Sequence, residues 1–165
     1  MVLNRLIVRV RTFHTASLML FVLLAAAFMQ VRQQEKFLSG NASAYDKAVK
    51  LYDKGDFASA APIFGELLRR DTNSWILAAH YGRCLGETGR LTEASTYYAR
   101  ALEGNVLLMQ NGNFLVPWGY YSYLAKEYDK ARVLLEASLE TSLPTNLAVT
   151  ARRLLDDIKQ KEAKR

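Results

Sequence analysis

Residues 75–104 read WILAAHYGRCLGETGRLTEASTYYARALEG, and the spacing of their small residues decides the fold. Gly82, Leu85, Ala94, Tyr98 and Ala101 recur at helical intervals on two short stretches. Gly89 separates the stretches, and a glycine there can adopt the left-handed conformation that closes a helix. The segment therefore reads as two helices joined by a tight turn, with small side chains where the helices approach each other.

The same pattern lies 34 residues upstream, where Gly55-Asp56-Phe57 precedes Ala60 and Phe64 as Gly89-Arg90-Leu91 precedes Ala94 and Tyr98. A third copy, Lys126-Glu127-Tyr128 with Ala131 and Leu135, follows at an interval of 37. A period of about 34 residues is the signature of a helix-turn-helix repeat. The chain resembles the tetratricopeptide repeat family on these residues, together with Ala48, Leu51 and Leu67 of the first copy and Gly119 and Ser138 of the third. The resemblance implies an all-α stack of about three repeats at roughly 41–74, 75–108 and 112–143, within 44–143. Small residues let paired helices cross closely, and Phe64, Tyr98 and Leu135 fill the space to the next repeat.

Three features depart from the family pattern, the first being that the proline commonly ending a repeat is missing after the first two copies. The third turn has Lys126-Glu127 where the others have a glycine, and Gly104 to Val116 is three residues too long and apolar. Pro117 suits the first turn of a helix, so the first helix of the third repeat is expected to start there and be short. The apolar segment Val106 to Val116 is expected to pack internally rather than face a partner. After Pro144, Leu147, Ala151, Leu154, Leu155 and Ile158 recur at helical spacing, which predicts a capping helix and basic tail over 144–165.

The N-terminus reads differently. Residues 13–31 contain no charge and are flanked by Arg11 and Arg32. As a helix they span roughly 28 Å, close to the hydrocarbon thickness of a bilayer. We expect a basic segment over 1–12, one transmembrane helix over 13–31 contacting the lipid bilayer, and a linker or helix extension over 32–43. Two other readings stay open: a secretory signal cleaved near Ala25-Ala26-Ala27, and a mitochondrial presequence, since residues 1–34 hold four arginines and no acid. A mitochondrial inner membrane fits the arginine-rich start, and a bacterial inner membrane with a periplasmic domain fits almost as well.

Charge and composition exclude several function classes. The net charge is +6, but residues 1–36 carry five basic side chains against Glu35 alone, and the remainder carries 17 against 15 acids. The repeat domain is thus near neutral, unlike a nucleic-acid binder with a basic face. One cysteine, Cys84, and two distant histidines, His14 and His80, build no metal site. His80 and Cys84 are four apart on one helix, yet an inert core thiol is the simpler reading. No phosphate-binding loop follows a strand. We expect no enzyme, no cofactor and no small-molecule substrate.

Partner binding is what remains. In the tetratricopeptide family the concave groove is lined by the first helix of each repeat. Carried onto this chain, those positions are Tyr45, Val49 and Tyr52, then Ala79, Arg83 and Glu87, then Val116, Tyr120 and Tyr123. Four tyrosines around one arginine suit an apolar peptide or helix. The Lys and Asn by which one subclass holds a chaperone's C-terminal carboxylate are replaced by Tyr45 and Val49. The expected function is a structural or accessory subunit, or an assembly scaffold, of a larger membrane protein complex. The alternative is a peptide-binding receptor or adaptor at a membrane surface.

Overall fold

The structure is a computed structural model that describes residue 29 and residues 40–163. The segments expected as a basic N-terminus, a transmembrane helix and most of a linker lie outside the described residues, Met29 apart. Among the described residues, no helix is long and apolar enough to cross a membrane. The chain divides into two compact units, Met1–Ser43 and Ala44–Arg165, and the second carries the repeats.

That unit is all-α. Within it α1 is helical over residues 44–53. It is followed by α2 (Phe57–Arg70), α3 (Trp75–Glu87), α4 (Leu91–Gly104), a 3-10 turn (Val106–Gln110), α5 (Gly112–Leu124), α6 (Tyr128–Leu139) and α7 (Thr145–Ala163). Neighbours in sequence pack as neighbours in space, which makes the unit a stack of antiparallel helix pairs closed by α7.

The turns inside the pairs share one chemistry. Gly55 and Gly89 have φ of 78° and 83°. Each is followed by a backbone bond of 2.9 Å, Asp56 N to Leu51 O and Arg90 N to Leu85 O, which closes the helix end. The third turn repeats the pattern, Glu127 N to Ser122 O at 2.9 Å, although its left-handed residue is Lys126 at φ 63°. Neighbouring contacts thus hold a lysine where the other turns place glycine, at a cost of about 1 kcal/mol. At helix starts, Asp56 and Ser74 accept from the amides of Ser59 and Leu77 at 3.1 and 3.4 Å.

Small and large residues alternate in the core as the repeat demands. Ala48, Ala60, Ala94 and Ala131 are fully buried, and Phe64, Tyr98 and Leu135 are at most 2 % exposed. Two apolar clusters result. The larger runs from Ala48 on α1 through Phe64, Leu85 and Tyr98 to Tyr121 and Leu134. The smaller joins Val116, Ala131 and Leu135 to Ala151, Leu154, Leu155 and Ile158 of α7.

Two expectations for the third repeat change. First, α5 begins at Gly112, not at Pro117, and has 13 residues. Gly112 lies so close to Leu143 and Thr141 that an added Cβ would meet them at 2.2 and 2.4 Å, which fixes the helix start there. Pro117 sits in the second turn, where it has no N–H to offer the carbonyl of Asn113 four residues earlier. Pro62 occupies the same place in α2. Second, Val106 to Val116 packs only in part. Leu108, Phe114, Leu115 and Val116 are buried, whereas Val106 and Leu107 remain 72 and 66 % exposed. A 3-10 turn explains the split, because its side chains fan out in three directions.

Candidate partner-binding groove

The face shared by α1, α3 and the start of α5 carries an open groove of about 320 Å³. Its walls include Tyr52 from α1, Ala79, His80 and Arg83 from α3, and Asn111, Asn113 and Phe114 around the start of α5, with Tyr98 of α4 and Leu108 of the 3-10 turn between them. Ala79, His80 and Arg83 share a side because residues three or four apart on a helix lie together.

The α1 end of the groove is aromatic. The His80 ring stacks on Phe64 with centroids 5.0 Å apart and 11° between planes. Tyr52 meets His80 edge-on at 4.9 Å, and Tyr45 meets Phe64 edge-on at 6.2 Å. Such edge-on and stacked pairs fix the ring orientations. Burial holds the His80 imidazole below its ordinary pKa, opposed by nearby Asp53, so the ring is neutral at pH 7. Burial likewise raises the Tyr52 phenol.

Arg83 is the charge of the groove. Its Nη2 lies 3.5 Å from Glu87, a loose ion pair, and its guanidinium carbon stands 6.0 Å from the centroid of the Tyr52 ring. Its Nε is enclosed and has no hydrogen-bond partner. Glu87 is engaged elsewhere as well, since Tyr121 donates its hydroxyl hydrogen to it at 2.9 Å. No Asp or Glu lines the groove.

The six residues expected at a groove separate into groups. Tyr52 and Arg83 line it together. Tyr45 packs behind His80, and Glu87 flanks Arg83. Tyr120 and Tyr123 lie outside the lining. Tyr120 is 38 % exposed beside Tyr121, and Tyr123 bonds Asp157 on α7. Val116, expected on the concave face, is 3 % exposed and belongs to the core beside α7. Sequence reasoning placed neither Asn111 nor Asn113 at the site, because both fall in the stretch Gly104 to Val116, which is three residues too long for the repeat register. His80 was expected inside the repeat beside Cys84, not at the groove, although it stands three residues before Arg83.

Cys84 is fully buried, and burial pushes its thiol up to about 12, so it is no nucleophile at neutral pH. Among the described residues no group of three His, Cys, Asp or Glu side chains could hold a metal ion.

Residues 51–106 match a family model described as tetratricopeptide repeat. No curated protein matches the chain. Several solved structures share its fold. The Yersinia enterocolitica type III secretion chaperone SycD, in complex with a peptide of the translocator YopD, superposes with a TM-score of 0.61 at 18 % identity, over 73 % of this chain and 92 % of that one. The first TPR of Spaghetti (RPAP3), bound to the HSP90 peptide SRMEEVD, gives 0.62 at 17 % identity over 74 and 93 %. The TPR2B domain of yeast Sti1, in its pHsp70 complex, gives 0.60 at 17 % over 73 and 97 %. The repeat unit is therefore an all-α, tetratricopeptide-type stack.

Proposed function

We propose that this chain is a membrane-anchored protein-interaction module, acting as an accessory subunit or assembly scaffold of a larger membrane protein complex. The observation that carries the interaction half is the groove between α1, α3 and α5, with aromatic walls, one arginine and no group suited to catalysis. Its tetratricopeptide-type neighbours were solved with peptides of partner proteins, which supports a protein ligand here. The membrane half rests on sequence, namely the uncharged residues 13–31 between arginines. An anchor confines the groove to a thin layer and raises its effective concentration toward other membrane proteins. A mitochondrial inner membrane, or a bacterial one with the domain in the periplasm, suits the arginine-rich start.

One observation favours a second reading, a receptor or adaptor for mobile peptides. The groove mixes apolar walls with Arg83, Asn111 and Asn113, as a reversible site does. Purification of the full chain from its native membranes in mild detergent, followed by quantitative mass spectrometry, separates the two. A fixed set of membrane subunits at one-to-one stoichiometry supports the scaffold. Varied, substoichiometric partners support the receptor. Recovery in the soluble fraction without membrane proteins would overturn the anchored module altogether.

A further inference from the structure

We infer that Arg83 makes the groove selective for a partner segment in which an acidic side chain stands among apolar ones. The inference rests on the reading of the groove as a protein-binding site and names the chemistry of its occupant. A guanidinium offers five N–H donors in a planar fork that matches a carboxylate. In this structure Arg83 uses that capacity poorly: one nitrogen faces Glu87 at 3.5 Å, and Nε is enclosed without a partner. Glu87 is shared, because the same carboxylate oxygen, Oε1, also accepts from the Tyr121 hydroxyl at 2.9 Å.

The surroundings sharpen the demand for an anion. No carboxylate lines the groove, and the Tyr52, His80 and Phe114 rings form part of its walls around the half-buried guanidinium. A charge there interacts more strongly than one in open solvent. A carboxylate entering beside Ala79 satisfies the guanidinium, and neighbouring apolar side chains rest on Phe114 and Ile76. The sign also decides among occupants. The chain's own residues 1–34 carry Arg5, Arg9 and Arg11 and no acid, so they supply no carboxylate for Arg83. Another protein's acidic-apolar segment is the occupant that fits.

The test uses the full chain in detergent and two labelled synthetic peptides, identical except for a central Asp or Asn flanked by Leu and Phe. Binding is read by fluorescence anisotropy for the wild type, Arg83→Met and Arg83→Lys, each checked for a native melting transition. The wild type should bind the Asp peptide about tenfold tighter or more, as truncated charge pairs at interfaces require. Arg83→Met should abolish that preference without weakening the Asn peptide, and Arg83→Lys should keep part of it. Equal binding of both peptides by the wild type, or a preference that survives Arg83→Met, overturns the inference and leaves the groove reading standing. Failure of both peptides to bind overturns the groove reading and the inference with it. Self-association lost in Arg83→Met would make a second copy the occupant and overturn it too.

Discussion

Tyr121 on α5 donates a hydrogen bond to the carboxylate of Glu87 on α3, 2.9 Å away in space and 34 residues away in sequence. The interval equals one repeat, and Tyr123 reaches Asp157 on α7 across the same number of residues. Tyrosines of α5 thus tie it to the helices on both sides. Tyr121 is 1 % exposed, and its phenol is raised by burial and by the adjacent carboxylate, so it stays a donor throughout the accessible pH range. We expect Tyr121→Phe to cost about 1–2 kcal/mol in urea unfolding, the worth of a hydrogen bond to a charged acceptor. An unchanged midpoint would show that the bond is idle.

Gly86 is the residue that lets Tyr121 lie where it does. A Cβ at Gly86 would stand 2.4–2.5 Å from three atoms of the Tyr121 ring. Gly86→Ala gains about 1 kcal/mol of helix propensity, but it must displace a buried ring, which costs about 1–3 kcal/mol. A lower melting temperature is therefore expected. Restoration by a smaller side chain in Gly86→Ala/Tyr121→Leu would locate the clash, and a Gly86→Ala protein more stable than wild type would refute it.

The turns allow a paired comparison. Gly89 and Lys126 hold the same left-handed conformation, φ 83° and 63°. Gly89→Ala should destabilise by about 1 kcal/mol, whereas Lys126→Gly should stabilise by up to about 1 kcal/mol, because only the lysine carries a strained Cβ. Chemical denaturation of both variants reads the opposite signs directly.

His80 makes stability depend on pH. Its folded pKa lies below the ordinary value of 6.5 because burial disfavours the imidazolium. The unfolded chain therefore takes up the proton first as pH falls. The contribution is complete above pH 6.5 and is lost as pH drops through the folded pKa. The difference in urea midpoint between wild type and His80→Gln should shrink from pH 7.5 to pH 5. A constant difference would place the ring in water.

Cys84 gives a label for unfolding. With its thiol buried and pushed up to about 12, the thiolate at pH 8 is only about one part in ten thousand. Alkylation of the native protein should proceed at the rate of global opening and accelerate with denaturant. Complete labelling within minutes under native conditions would mean that α3 opens locally.

Much of this architecture is legible in the chain. Ala48, Ala60, Ala94 and Ala131 announce close helix crossings by being small at one interval, and all four are fully buried. Gly55 and Gly89 mark their turns because only glycine is easy there. The third repeat is harder to read. Lys126 turns without the expected residue, because the bond from Glu127 to Ser122 outweighs a local preference. The start of α5 is hidden because that helix is buried on nearly every side, from Phe114 and Leu115 to Trp118 and Tyr121. It shows no amphipathic period to read. Tyr52 and Arg83 reach the groove because their helices keep the 34-residue register. Asn111 and Asn113 lie in the over-long stretch Gly104 to Val116, where the register is lost.

The smaller core has one further consequence. The four buried side chains of α7, Ala151, Leu154, Leu155 and Ile158, all belong to the cluster with Val116 and Leu135, and none to the larger one. Separation of the last helix would wet Val116, Ala131 and Leu135 but leave the larger cluster closed. Amide exchange should then begin at the C-terminal side and spread from there toward the groove.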